Sequence, residues 1–203
     1  MERLIIIGAG GHGKVVADIA EKTGKYREIA FLDDGPMTDC MGYAVIGRVC
    51  EASKYISEYE FFVAIGRAEI RRSVTEELLT SDAHIATLIH PNAVIGKSVS
   101  IGKGTVVMAG AIVNPCAVIG DGCIINTSSS VDHDCVIGDY AHISVGAHLA
   151  GNVNIGADTW VGAGATVING LTVCNGCMIG AGAVVTKNIC ATGTYIGVPA
   201  RKQ

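Results

Sequence analysis

No apolar run in this sequence is long enough to cross a bilayer as a helix, which sets aside that class of membrane protein. Basic charge is also scarce. Fifteen Lys and Arg stand against nineteen Asp and Glu, a net charge of −4, so neither a nucleic-acid surface nor an anionic-lipid surface is expected. No amino-terminal leader is visible. Leu4–Ile7 is a short apolar run that stops at a Gly-rich loop, and the expected place of action is the cytoplasm. Cys174 and Cys177 form a CxxC, but no second pair stands at zinc-ribbon spacing. Among the eight cysteines, Cys123, Cys135 and Cys177 occupy positions that Ala and Thr fill elsewhere in the repeat described next, and read as small buried hydrophobes. No metal is expected.

What the chain has in abundance is a repeat. From Ala93 to Asn188 it cuts into sixteen consecutive hexads, and the third residue of every one is Ile, Val or Leu. Thirteen first positions are Ala, Ser, Thr or Cys, the exceptions being Val99, Val153 and Leu171. Gly follows the aliphatic residue in seven hexads, as at Gly96, Gly120, Gly138 and Gly180. An amphipathic helix cannot produce a period of six, and hairpins would not hold one phase for so long. The pattern predicts a solenoid with one short strand and one corner per hexad and three hexads per coil. Aliphatic residues would point to the axis and stack on their equivalents one coil away. The Gly after each is expected to supply the backbone freedom of the corner.

Ahead of the repeat, Arg3–Ile7 reads as a buried strand. Gly8-Ala9-Gly10-Gly11-His12-Gly13 follows it as a loop, then a helix over Lys14–Lys22. A G-x-G-x-x-G between strand and helix lets backbone approach a ligand and points a helix N-terminus at an anionic group. A strand over Glu28–Leu32 ends at Asp33-Asp34, where a dinucleotide fold keeps an acid for a ribose hydroxyl. A strand over Glu60–Ile65 ends at Gly66-Arg67, a helix covers Ala68–Leu79, and a strand over Ile85–Ile89 enters the solenoid. Three or four strands make only half a dinucleotide fold, and no hydride-transfer domain follows. The reading is a mononucleotide-sized site, with Gly10, Gly11, His12, Asp33, Asp34 and Gly66 at one rim of the sheet.

The order GAGGHGK, FLDD, AIG, then hexads and the tail Gly197-Val198-Pro199-Ala200-Arg201, resembles the hexapeptide-repeat nucleotide-sugar acetyltransferases. The resemblance implies an α/β Rossmann-like domain over residues 1–86, followed by a left-handed parallel β-helix over 87–203. It implies acetyl-CoA as co-substrate and an amino group on a UDP- or GDP-linked deoxysugar as acceptor. It further implies a homotrimer with sites at the subunit interfaces. Asn126-Thr127-Ser128-Ser129-Ser130-Val131-Asp132-His133-Asp134 is similar to the family motif N-T-S-S-x-[IV]-x-H-[DE]. In that motif the histidine is the general base and the acid after it raises its basicity. By resemblance His133 and Asp134 are catalytic and Asn126 helps place the acceptor sugar. His142 would contact the thioester, Gly151 would donate to its oxyanion, and CoA would lie near Ala163 and Ala181. Arg201 or Lys202 is the candidate for its phosphates. Asp132 also flanks His133, and which carboxylate orients the imidazole is left open.

The chemistry needs such a base. A thioester carbonyl reacts only with the free lone pair of an amine, and neutral imidazole takes the proton as attack proceeds. Three other readings compete. Sialic acid O-acetylation would use the same base on a hydroxyl, a non-catalytic scaffold would bind nucleotide sugar without turnover, and a zinc enzyme would gather histidines on one metal. His142 and His148 are one hexad apart, hence on different faces, which disfavours the zinc reading.

Overall fold

The computed structural model describes residues 2–203. The chain divides into two compact units, Met1–Pro91 and Asn92–Gln203.

In the first unit the strands are β1 (Glu2–Ile7), β2 (Tyr26–Leu32), β3 (Asp39–Cys40), β4 (Tyr43–Gly47), β5 (Glu60–Val63), β6 (His84–Ile85) and β7 (Leu88–Ile89). The helices are α1 (Gly11–Thr23), a 3-10 helix (Val49–Tyr55) and α2 (Ala68–Thr80). One sheet runs β3-β4-β2-β1-β5-β6, parallel apart from the β3–β4 pair. β1 lies between β2 and β5 because Leu4–Ile7 are all fully buried, the signature of a strand covered on both faces. The chain leaves β1 on one side for β2 and returns on the other at β5, and that switch opens the rim where α/β sheets bind ligands. Gly13 draws α1 close: a Cβ there would stand 2.0 Å from the Gly8 carbonyl oxygen. α1 ends at Gly24, whose φ of +66° turns its N–H back to Glu21.

Several expected boundaries move. α1 begins at Gly11, so His12 belongs to its first turn and not to the loop. β2 begins two residues earlier than expected, and the strand expected over Ile85–Ile89 is two short ones, β6 and β7, separated by Ala86 and Thr87, with the Ala86 N–H donating to the Phe61 carbonyl. The first unit extends to residue 91, past the expected 86, because buried Leu88 and its strand pack on α1.

The second unit is a parallel β-helix. Two-residue strands stack at eighteen-residue intervals into three faces. Face one carries Val106–Val107, Ile124–Ile125, His142–Ile143, Trp160–Val161 and Met178–Ile179, closed by Thr194–Ile196. Face two runs from Val94–Ile95 through Ser130–Val131 and His148–Leu149 to Val184–Val185, and face three from Ser100–Ile101 to Thr172–Val173. In each strand the hexad's third residue points inward. Val107, Ile125, Ile143, Val161 and Ile179 are fully buried, with Val131 and Val167 behind face two. Burying such side chains contributes about 1.5–3 kcal/mol each.

The first-position residues do more than fit. Thr105 Oγ1 donates to Gly120 O (2.8 Å), Cys123 Sγ to Gly138 O (3.2 Å), Cys135 Sγ to Ala150 O (3.2 Å) and Thr159 Oγ1 to Cys174 O (3.0 Å). Each closes a carbonyl that the next coil leaves without a strand partner.

The glycine expectation is corrected. Left-handed φ falls at the sixth hexad position, in fifteen of sixteen cases from Ser98 to Gly182, and not at the fourth. Fourth-position Gly answers to crowding between coils: a Cβ on Gly138 would stand 2.5 Å from the Ala157 nitrogen. Seven of those fifteen are not Gly, and one of them is Asp134, at φ +59°.

Candidate active site

At the corner between faces two and three, Pro115, His133 and Gly151 stack one coil apart. His133 is exposed, and its Nδ1 lies 2.8 Å from Asp134 Oδ2. The left-handed turn at Asp134 swings that carboxylate back toward the preceding side chain, so a side chain as short as Asp suffices. Asp132 takes another part. Its Oδ1 accepts the His133 backbone N–H (2.8 Å) and the Asn114 amide (2.7 Å). Asp134 therefore faces the ring and Asp132 holds the backbone. His133 is pushed above the ordinary histidine range, first by the Asp134 hydrogen bond and then by the charge of Asp132, with slight desolvation opposing. Asp132 is held below the usual carboxylate range by Asn114 and the His133 N–H.

The other edge of the imidazole lies over Gly151. A Cβ at this buried glycine would stand 2.5 Å from His133 Nε2. The Gly151 carbonyl accepts from Gly170, and its N–H donates to no group among the described residues.

A second cluster lies on face one, opposite that corner. Asn126 Nδ2 sits 3.0 Å from His142 Nε2, and the imidazole stacks on Trp160 with ring centroids 5.0 Å apart and planes at 21°. His148 is on face two, bonded to Ser130 Oγ at 2.9 Å, so the two histidines do not converge. Ala163 and Ala181 are exposed at the corner between faces one and two, one coil apart, with Gly182 N–H bonded to Ala163 O. Lys202 is tied to Thr192 O and Arg201 to Ala200 O. The Cys174 and Cys177 sulfurs lie 3.5 Å apart as free thiols, and burial pushes Cys177 up to about 11. No group of three metal-binding side chains occurs among the described residues.

In the first unit the rim residues gather as a loop cluster. Asp33 Oδ2 accepts the Ala9 N–H (2.7 Å) and Oδ1 the Gly35 N–H (2.7 Å), while Asp34 accepts the Val49 N–H (3.1 Å). Both acids brace backbone, and a ribose hydroxyl would have to share their oxygens. Gly10 and Gly11 are exposed at the start of α1. Gly66 is held from beneath by Arg71, a buried guanidinium that donates to the Ile65 and Gly66 carbonyls at 2.8 Å each. Burial and the nearby Arg71 charge press His12 down to about 4, so it is neutral at working pH.

Sequence reasoning missed Arg71, Trp160, Ser144 and Asn114. A signal existed for Trp160 and Asn114, each one coil from a residue already singled out. Arg71 gave none, since a cation in a helix reads as solvated.

Comparison with known proteins adds a decisive likeness. The family described as "PglD N-terminal domain" matches residues 3–78, and "Bacterial transferase hexapeptide (six repeats)" matches 152–187. The acetyltransferase domain of PglB from Neisseria gonorrhoeae is 42% identical with a TM-score of 0.97, over 100% of both chains. This chain belongs to the hexapeptide-repeat nucleotide-sugar N-acetyltransferases.

PerB from Caulobacter crescentus, solved with CoA and GDP-perosamine, is 35% identical with a TM-score of 0.95. That likeness covers 100% of this chain and 98% of PerB. UDP-N-acetylbacillosamine N-acetyltransferase from Bacillus subtilis is 38% identical over 113 residues, 54% of this chain. The match spans about half, 52%, of that curated relative's length. An acetyltransferase of this family has the β-helix and Rossmann-like unit expected from the hexads and the Gly-rich loop. No helix among the described residues is long and apolar enough to cross a membrane.

Proposed function

We propose that this chain transfers the acetyl group of acetyl-CoA to the amino group of a nucleotide-linked amino-deoxysugar, by direct attack on the thioester. One observation carries the reading: His133, bonded to Asp134 through Nδ1, presents Nε2 over the buried Gly151 corner. Asp134 accepts a hydrogen bond from Nδ1–H, which leaves the Nε2 lone pair for an incoming amine and stabilises the imidazolium. The amine nitrogen bonds the thioester carbon and the carbonyl electron pair moves to oxygen. Nε2 takes the N–H proton, and the Gly151 N–H donates to the oxyanion. When the C–S bond breaks, the amide forms and the CoA thiolate takes the proton held on Nε2, which returns the imidazole to its neutral form. No enzyme nucleophile is required, in keeping with cysteines that close carbonyls inside the coil.

His142 and Asn126 serve the same reaction, at the thioester and at the acceptor sugar, and CoA lies along the small corner residues Ala163 and Ala181. His133 stands on the prism edge opposite the face of His142, so one chain does not bring them together. That placement supports a homotrimer, in which a second copy supplies the facing wall. The first unit holds the nucleotide, with the exposed Gly10-Gly11 backbone and neutral His12 at the phosphates or sugar and Asp33, Asp34 and Gly66 lining the rim. The amine acceptor is favoured because the curated relative is named for an amine-acetylating reaction, and PerB was solved with GDP-perosamine. The proposed place of action is the cytoplasm. Release of CoA thiol on addition of an amino-sugar nucleotide tests the reading; binding of that nucleotide without release overturns it.

A further inference from the structure

Trp160 has no part in the chemistry above, yet it is held with unusual care. It is the chain's one tryptophan, and 40% of its surface is exposed, a poor use of apolar area if packing were its purpose. It follows His142 by one coil and pairs with it in the strand ladder. The indole lies flat against the imidazole, and its Nε1 donates to Ser144 Oγ at 2.6 Å. Ser144 is buried, so the anchor does not swing with solvent.

The imidazole is also held in its own plane. Thr127 N–H donates to Asn126 Oδ1 at 2.7 Å, which fixes the amide with its oxygen toward the backbone. Asn126 Nδ2 is then the end that faces His142 Nε2, at 3.0 Å. A donor on Nε2 needs a lone pair there, so the proton of the neutral ring is on Nδ1. Thr127 thus sets the amide, the amide sets the tautomer, and the indole sets the ring plane.

We propose that Trp160 is a positioning residue for acetyl transfer: pinned by Ser144, it holds the His142 imidazole flat, in the plane where Asn126 keeps it in the Nδ1–H form, for the bound thioester. This rests on the reading that His142 serves the thioester. Loss of the indole removes the flat surface that holds the ring plane, and the imidazole can then tilt. A misplacement of about 1 Å at a reacting group costs on the order of 100-fold in rate.

The test compares Trp160→Ala, Trp160→Phe and His142→Ala in the full chain. Turnover is read by CoA thiol release, assembly state by sedimentation, and the tautomer by nitrogen-15 NMR of histidine-labelled protein. Trp160→Ala should lower kcat roughly 10- to 100-fold and leave the KM for the nucleotide sugar within about two-fold. Trp160→Phe keeps a ring for the stack and should recover most of the rate. Wild-type His142 should show a protonated Nδ1 and a bare Nε2, and Trp160→Ala an average of both tautomers. Unchanged kcat in Trp160→Ala, equal losses in the Phe and Ala variants, or loss that tracks dissociation of the assembly would each overturn the proposal. A protonated Nε2 in the wild type would do so without any substrate. If His142→Ala itself leaves turnover intact, the thioester role of His142 falls and the proposal with it. If His142→Ala abolishes turnover and Trp160→Ala does not, only the role of Trp160 falls.

Discussion

Replacing Gly151 with alanine would put a methyl group 2.5 Å from His133 Nε2 and 2.6 Å from Cε1. Favourable contact between such atoms begins near 3.5 Å, so the imidazole must retreat by roughly 1 Å. It cannot retreat freely, because the 2.8 Å bond from Nδ1 to Asp134 holds its other edge, and Asp134 is fixed by its own left-handed turn. Gly151 itself is not in the left-handed region, so alanine fits the backbone and the N–H stays where it was. The perturbation thus moves the base and spares the oxyanion donor. A shift of that size at a reacting group costs on the order of 100-fold, or about 3 kcal/mol of transition-state stabilisation. Steady-state CoA release should show kcat down by about that factor, with both KM values within about three-fold. Thermal stability should barely change, since the displaced ring is 59% exposed and its bond to Asp134 lies at the surface. The double variant with His133→Ala should be no slower than His133→Ala alone, because both substitutions act through one group. Wild-type kcat in Gly151→Ala would refute the placement of the base, and a loss matched by unfolding would refute the claim that the effect is local.

Two further outcomes follow from the charged groups. Asp134→Asn removes the largest cause of the raised His133 pKa, so the acid limb of kcat/KM should move to lower pH and the plateau should fall; an unmoved limb would remove Asp134 as the partner of the ring. The same raised pKa lends folded-state stability below the ordinary histidine value, lost as pH rises through the folded pKa, but at so exposed a side chain it carries no useful energy. His12 has the opposite sign. Pressed down to about 4, it makes the fold lose stability as pH falls from about 6.5 toward 4, by at most about 3 kcal/mol, and none of that loss occurs above 6.5. Thermal melts at pH 5 and 7.5 should differ more in the wild type than in His12→Asn, and equal differences would show that His12 is not the group responsible.

The β-helix was legible because a coil repeats every contact. An aliphatic residue at the third position of every hexad can only mean an inward-facing row, and Val107, Ile125 and Ile143 are such a row. What each glycine is for was not legible. The fourth-position residues looked like turn formers, yet the turn is made at the sixth, where Asp134, Tyr140 and Asn152 adopt left-handed φ without being Gly. Close approach of two coils leaves no mark in a single hexad. In the first unit, β3, β4 and the 3-10 helix escaped notice because their short, half-exposed segments lack a period. The His133-Asp134 pair was readable as a motif, but which carboxylate meets the ring depended on a backbone turn. Trp160 is in plain view one coil from His142, and only the stacked rings reveal what it holds.

The most direct test of the account is CoA release by wild type and His133→Ala, with UDP-4-amino-4,6-dideoxy sugars and GDP-perosamine as acceptors and calorimetric acetyl-CoA binding measured on both proteins. The account predicts turnover on at least one amino-sugar nucleotide by the wild type, and loss of at least about 100-fold in kcat for His133→Ala with acetyl-CoA binding retained. Near-wild-type turnover by His133→Ala would contradict it, as would a wild type that binds these acceptors and acetyl-CoA and releases no thiol.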